Sequence, residues 1–200
     1  MAAWGGQSNP TDTSYSVSAA RPAASRPTTT YKPLADGTQG TLQTLAAMAQ
    51  AVTTGLPPEY RSYRDGTTAL AAAEICGDAA DCAVALYEFT RDHISYIDHP
   101  WNMQVVQDAR RTLMLRSGDC VSKSVLLSTM LASIGITSRF VAQATTPEGF
   151  DHVYVEAKRD DGSWLALDPT ADGKGGRPLG YAGWTQSLYD GGFEMAYDIF

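Results

Sequence analysis

Cysteine and histidine are scarce, with three of each in 200 residues. Three cysteines make no disulfide framework, and without HExxH or paired CxxC spacing no zinc site is expected. Cys76 and Cys82 lie too far apart for one helical face. They read as buried small apolar residues, with a pair bonded under oxidation as the lesser alternative, so a reduced compartment is expected. Long apolar runs are also missing: nothing approaches the roughly 20 residues of a bilayer span. The opening Met-Ala-Ala-Trp-Gly-Gly-Gln lacks a basic patch followed by an apolar stretch, which predicts no secretion signal and a cytoplasmic location in the producing cell. Excess positive charge is absent too. A net charge of -7 speaks against nucleic acid as the main partner, and solubility is its simplest meaning.

Bulky aliphatic residues are nearly absent from residues 1–40, where Ser, Thr, Ala, Pro and Gly dominate. Such a segment cannot bury enough surface to offset its ordering entropy, which predicts an extended or disordered arm. A neighbouring subunit is the natural candidate to hold it. The remaining chain, 44% hydrophobic overall, is rich enough for a real core. Residues 41–170 read as one domain, helical over 41–117 with a catalytic core over 118–170, and 171–200 as a glycine-rich, aromatic tail packed on it.

Helices are expected from Gly40 to Val52, with Leu42, Leu45, Met48 and Val52 as the apolar stripe, then from Thr67 to Ile75 and from Ala79 to His93. In the last, Cys82, Leu86 and Phe89 form one stripe with Ala83 and Tyr87 beside it. Ile94–Ile97 continues that helix or turns extended, and Asp98-His-Pro-Trp101 is a loop. A short helix around Val105–Arg111 leads to a turn. The helix from Cys120 is apolar over a broad face, which marks it as central. Gly135 suits its C-terminal stop, with Ile136 as the hydrophobic contact. Strands follow at Ser138–Ala144, Phe150–Lys158 and Ser163–Asp168.

The turn is Arg116-Ser-Gly-Asp-Cys120. It places a thiol in the first turn of a helix, where N–H groups are unpaired and the dipole is positive. A thiol there ionises at lower pH, and the thiolate attacks carbonyls. His152 and Asp168 lie downstream on two strands. Cysteine, histidine and aspartate on separate elements are the layout of a nucleophile, a base and an orienting carboxylate.

Strand geometry tests that layout. His152, Tyr154 and Glu156 share one face of their strand, and Trp164, Ala166 and Asp168 share one face of the next. Val153, Val155, Leu165 and Leu167 should then face the helices. A two-residue turn would set Asp160 opposite Ser163 and put Asp168 on the wrong face. A three-residue loop with Gly162 left-handed sets Arg159 opposite Ser163, and brings His152 and Asp168 within diagonal reach.

In combination, Gly118-Asp119-Cys120, the helix ending in Ile134-Gly135-Ile136, Asp151-His152-Val-Tyr-Val and Trp164-Leu-Ala-Leu-Asp168-Pro-Thr170 resemble the transglutaminase-like branch of the papain-like superfamily. The resemblance covers about residues 80–170. It implies an α+β fold, a nucleophile helix packed on a small antiparallel sheet, and the triad Cys120, His152 and Asp168. The Gly-Thr-Leu-Gln-Thr-Leu opening helix and Gln107-Asp-Ala-Arg-Arg-Thr-Leu113 are similar to small proteins of this type encoded by tailed bacteriophages.

The function implied is cysteine acyl transfer on a peptide or amide, by a peptidase or amidase ahead of a cross-linking transferase, carried or not on a phage particle. The alternative is a virion structural or assembly protein that uses the fold for docking, its arm bound to other virion subunits. No cofactor, metal or membrane partner is expected. The backbone N–H of Cys120 should face the oxyanion, with Gln107 or Trp101 as second donor. Asp119 and Asp151 read as local caps or loop stabilisers, Tyr154 as packing, Asp160 and Asp161 as turn residues, and His93 and His99 as bystanders.

Overall fold

The computed structural model describes residues 37–53, 76–98, 104–144, 149–170 and 194–200. Its elements in chain order are α1 (Gly37–Thr53), α2 (Ala79–His93), β1 (Ser95–Tyr96), α3 (Ala109–Leu115), β2 (Ser117–Gly118), α4 (Cys120–Ser133), β3 (Ser138–Gln143), β4 (His152–Lys158), β5 (Trp164–Leu167) and β6 (Glu194–Asp198). The class is α+β. A four-stranded antiparallel sheet in the order β5-β4-β3-β6 packs against α4, and the other helices surround α4.

Helix α4 is the centre of the molecule. Every residue from Val121 to Leu131 is buried. Asp119 caps its start by accepting the Ser122 N–H at 2.8 Å. At its end Gly135 takes φ +83°, and the N–H groups of Ile136 and Gly135 reach Leu131 O at 3.0 Å and Ala132 O at 3.2 Å. These two bonds satisfy carbonyls the helix leaves over, and glycine adopts that backbone without steric cost.

Lys123, fully buried in the middle of α4, was not singled out in the sequence. Its ammonium donates to Ile94 O at 2.7 Å and to Arg91 O at 3.5 Å. A long stem thus reaches across to satisfy the C-terminal carbonyls of α2. The charge faces the negative end of a helix, which is what allows it inside.

The strand register matches the three-residue loop. Val155 lies opposite Leu167, Glu156 opposite Ala166 and Lys158 opposite Trp164. The Arg159 N–H donates to Ser163 O at 2.8 Å, and Gly162 sits at φ +83°. Asp161 accepts from the Ser163 N–H and hydroxyl, as a turn residue does. Val153, Val155, Leu165 and Leu167 are in the core as expected. Tyr154 and Glu156 on the other face are buried as well. Glu156 accepts from Arg139 at 2.7 Å, and Tyr154 donates to Glu194 at 3.4 Å.

Some expectations need correction. Helix α1 begins at Gly37, inside the expected arm, and its buried stripe is Gly40, Leu45, Met48, Ala49 and Val52, whereas Leu42 is 41% exposed. On α2 the buried positions are Ala83, Leu86, Tyr87 and Thr90, a stripe rotated from Cys82 and Phe89. Helix α3 starts at Ala109, not near Val105, because Asp108 caps it by accepting the Arg111 N–H. Part of the expected tail is a strand: β6 pairs antiparallel with β3. Cys76 and Cys82 are bonded to each other, their Cα atoms 4.8 Å apart. Cys76 precedes the helix, so the turn at Gly77-Asp78 brings it back over the first turn of α2. No helix among the described residues is long and apolar enough to cross a membrane. The arm before Gly37, the Thr67–Ile75 helix and His99–Trp101 lie outside the described residues.

Candidate active site

The Gly-Asp-Cys turn has a physical reason at each position. A Cβ on Gly118 would stand 2.6 Å from Cβ of Ser122, so only glycine fits. Asp119 is the N-cap. Cys120 is the first helical residue, and its N–H has no intrahelical partner by position. Parallel pairing of Tyr96 with Gly118 fixes the strand that delivers the cysteine. Cys120 is a free, half-buried thiol.

Strand β4 carries His152 to the sulfur. Ser124 of α4 donates to Val153 O at 3.4 Å, tying the two elements one residue from the imidazole. His152 Nε2 lies 2.8 Å from Asp168 Oδ2, and the ring also hydrogen-bonds Cys120. Asp168 is almost fully buried, and its other oxygen accepts the Thr170 N–H at 3.0 Å and hydroxyl at 2.7 Å. The Asp-Pro-Thr sequence therefore locks the carboxylate that meets the histidine. Asp168 is a turn residue and the histidine's partner at once.

The electrostatics follow from these contacts. Burial opposes a charge on His152, but hydrogen bonds to Asp168 and Cys120 and their negative charges outweigh it, and the imidazole is pushed up to about 10. Burial likewise opposes ionisation of Asp168, yet His152 and Thr170 hold its carboxyl below the usual carboxylate range. Tyr96 is a neighbour the sequence did not point out. Burial first, then the negative charge of Cys120 and Asp98, raise its phenol well above the ordinary value, so it stays a neutral donor.

A cavity of about 210 Å³ opens at the sulfur. Cys120, Val121, His152 and Val153 form one side, α1 the other, and Gln104, Phe150 and Asp151 also line it. Gln104 Nε2 donates to Asp119 Oδ2 at 3.4 Å, beside the nucleophile turn. Gln107, the expected oxyanion donor, is buried and does not line this cavity. The chain from Gln104 to Asp108 has no regular structure, and in it Gln104 lines the cavity while Gln107 is buried away from it. Trp101 lies outside the described residues. Asp119 is the cap and Asp161 the turn residue expected of them, and Asp151 is an exposed residue of the cavity lining.

The comparisons agree with this architecture. The family model described as the transglutaminase-like superfamily matches residues 61–169. Among curated proteins, none matches the sequence. Among solved structures, a candidate protease of Parabacteroides distasonis superposes with TM-score 0.50 at 19% identity, covering 62% of this chain and 25% of that one. A candidate cysteine protease of Cytophaga hutchinsonii gives 0.47 at 17%, covering 63% and 42%. A TGase gives 0.46 at 15%, covering 66% and 38%. The chain thus spans from a quarter to two fifths of the length of these proteins. The family match takes in more than half of the sequence, including the cysteine turn, the histidine strand and the aspartate, and the chain belongs to the transglutaminase-like superfamily.

Proposed function

We propose that this chain is a cysteine acyl-transfer enzyme of the peptidase or amidase kind, with Cys120 as nucleophile, His152 as acid and base, and Asp168 as the group that orients His152. One observation carries the reading: a buried Asp168 carboxylate and the Cys120 sulfur hold the same imidazole at the edge of a cavity.

The steps follow from the geometry. Asp168 occupies Nε2 and leaves the other ring nitrogen for the sulfur. A charged His152 next to Cys120 stabilises the thiolate. The thiolate attacks an amide carbonyl, and a carbon–sulfur bond forms. The oxyanion meets the N–H of Cys120, with Gln104 better placed than Gln107 as a second donor. As the carbon–nitrogen bond breaks, the imidazolium protonates the departing amine. His152, now neutral, takes a proton from water as it attacks the thioester, and an acid leaves. If an amine replaces water, the product is a new amide.

The test is capture of the acyl-enzyme. Incubation with an activated acyl ester should add one acyl group to Cys120, seen by intact mass and peptide mapping. Hydroxylamine should release it as the hydroxamate. Acylation elsewhere, or equal acylation of Cys120→Ala, would contradict the reading. The resemblance to phage-encoded relatives extends the proposal to carriage on a virion, which co-sedimentation of the chain with purified particles would check.

A further inference from the structure

We propose that Glu194, on strand β6, is a positioning residue of the active site: acting through Tyr154 and Gln143, it fixes the tilt of the His152 ring. The inference rests on the acyl-transfer reading, with Cys120 as nucleophile and His152 as its partner. It brings into the site a strand that lies outside residues 61–169.

The strand register sets up a polar row. Glu194 of β6 lies opposite Gln143 of β3, and Gln143 lies opposite His152 of β4. Directly opposed residues share a face of the sheet, so a carboxylate, an amide and the imidazole stand side by side across three strands. Tyr154, two residues on from His152, shares that face. Two donors meet on one carboxylate oxygen. Gln143 Nε2 donates to Glu194 Oε1 at 3.1 Å, and the Tyr154 hydroxyl donates to the same atom at 3.4 Å. Both donor residues are buried, which strengthens hydrogen bonds by lowering the local dielectric.

The row reaches the imidazole through the tyrosine ring. The rings of His152 and Tyr154 are stacked, with centroids 6.5 Å apart and planes 23° from parallel. That separation falls within the roughly 4.5–7 Å of interacting aromatic pairs. Asp168 and Cys120 hold the imidazole at its two nitrogens. Bonds at two points leave one rotation, about the line that joins them. This rotation tips the face of the imidazole, and a ring stacked on that face opposes it. The tyrosine can do so only if it is fixed itself, and its hydroxyl is tethered to Glu194. Gln143 adds a second tie, since its carbonyl accepts the Asp151 N–H at 3.1 Å, one residue before the imidazole. Tilt matters because the ring nitrogen must point at the sulfur and then at the departing amine to pass a proton.

The experiment follows nitrophenol release from p-nitrophenyl acetate by the full chain, with the Cys120→Ala rate subtracted. Glu194→Ala should lower kcat by roughly tenfold and leave KM within about twofold of the parent's. Glu194→Gln keeps an acceptor oxygen and should recover most of that loss. Tyr154→Phe keeps the ring, loses the tether and should lower kcat several-fold. The double variant Tyr154→Phe, Glu194→Ala should lose little more than Glu194→Ala alone, because the two side chains act as one unit. Asp198→Asn, farther along β6 and opposite Arg139, should leave kcat unchanged.

A second readout needs no turnover: the His152 imidazole N–H signal in the downfield proton NMR spectrum, identified by its loss in His152→Gln. It should move or broaden in Glu194→Ala and stay near the parent's in Glu194→Gln. A parent-like kcat and signal in Glu194→Ala would overturn the proposal and leave acyl transfer standing. So would an equal fall of kcat in Glu194→Ala and Glu194→Gln with an unmoved signal, the mark of a merely structural strand. If Glu194→Ala does not fold, Tyr154→Phe decides, and parent-like values there overturn the proposal. If the parent releases nitrophenol no faster than Cys120→Ala, the acyl-transfer reading fails and this inference fails with it.

Discussion

The two helices that face each other across the cleft are held in opposite ways. Helix α4 buries eleven of its 14 residues and is fastened at both ends, by Asp119 and by the Gly135 turn. Helix α1 buries five of its 17 residues, all on one stripe. The sulfur therefore sits on the element least able to shift, as positioning of reacting groups requires. The opposite wall sits on an element whose exposed positions can vary without opening the core.

Substitutions should show that division. The largest effect belongs to Cys120→Ala, which should abolish acyl-enzyme formation in the mass assay while the thermal midpoint stays near the parent's. His152→Ala should slow acylation by roughly 10²–10⁴-fold, the usual share of a general acid–base group. Asp168→Asn works through the ring it orients. It should lower acylation up to about 10⁴-fold and move the alkaline limb of the rate profile down, because His152 loses the carboxylate that raises it.

The pH dependence of stability has a definite sign. The folded protein raises His152 from 6.5 to about 10, so folding favours its charged form. That stabilisation is complete below about 6.5 and is lost as pH climbs toward 10. The thermal midpoint should fall across that window in the parent, and fall less in His152→Gln. Asp168 acts at the other end: its carboxyl is lowered, so its contribution is present at neutral pH and is lost as the solution turns acid.

Smaller effects sharpen the contrast between the helices. Gly118→Ala drives a methyl into Ser122 and should cost about 1–3 kcal/mol while displacing Cys120, so stability and acylation fall together. Lys123→Met keeps the length but strips the donor from the buried Ile94 carbonyl and the part-buried Arg91 carbonyl, a loss of about 1–3 kcal/mol in denaturant melts. Opening the short Cys76–Cys82 loop by reduction should cost about 2 kcal/mol and leave acylation unchanged. Thr44→Ala, on α1, should change stability by under about 0.5 kcal/mol, because Thr44 lies off the buried stripe of that helix.

Much of this was legible in the chain. The turn residues alone left two hairpin registers open, and the triad required the one that the structure has, with Gly162 left-handed and His152 and Asp168 on one face. Gly118-Asp119 marked the cleft end of the central helix through a close approach and a cap. Long-range partners were not legible. Lys123 reaches across to Arg91 and Ile94, β6 pairs with a strand some fifty residues earlier, and α1 meets the cleft from outside the matched region. None of these has a local periodicity. Cys76 was misread because helical spacing was applied to a residue that lies before the helix. Nothing in the sequence points to Gln104, because the stretch from Gln104 to Asp108 has no regular structure and so no periodic signal.

The central claim is that His152 activates the Cys120 sulfur, and the most direct test is the rate of Cys120 alkylation by iodoacetamide from pH 5 to 10 in the parent and in His152→Ala. The account predicts that the parent reacts readily below pH 7 and that His152→Ala reacts only above about pH 8, as an ordinary thiol does. Superimposable profiles for the two proteins would contradict it.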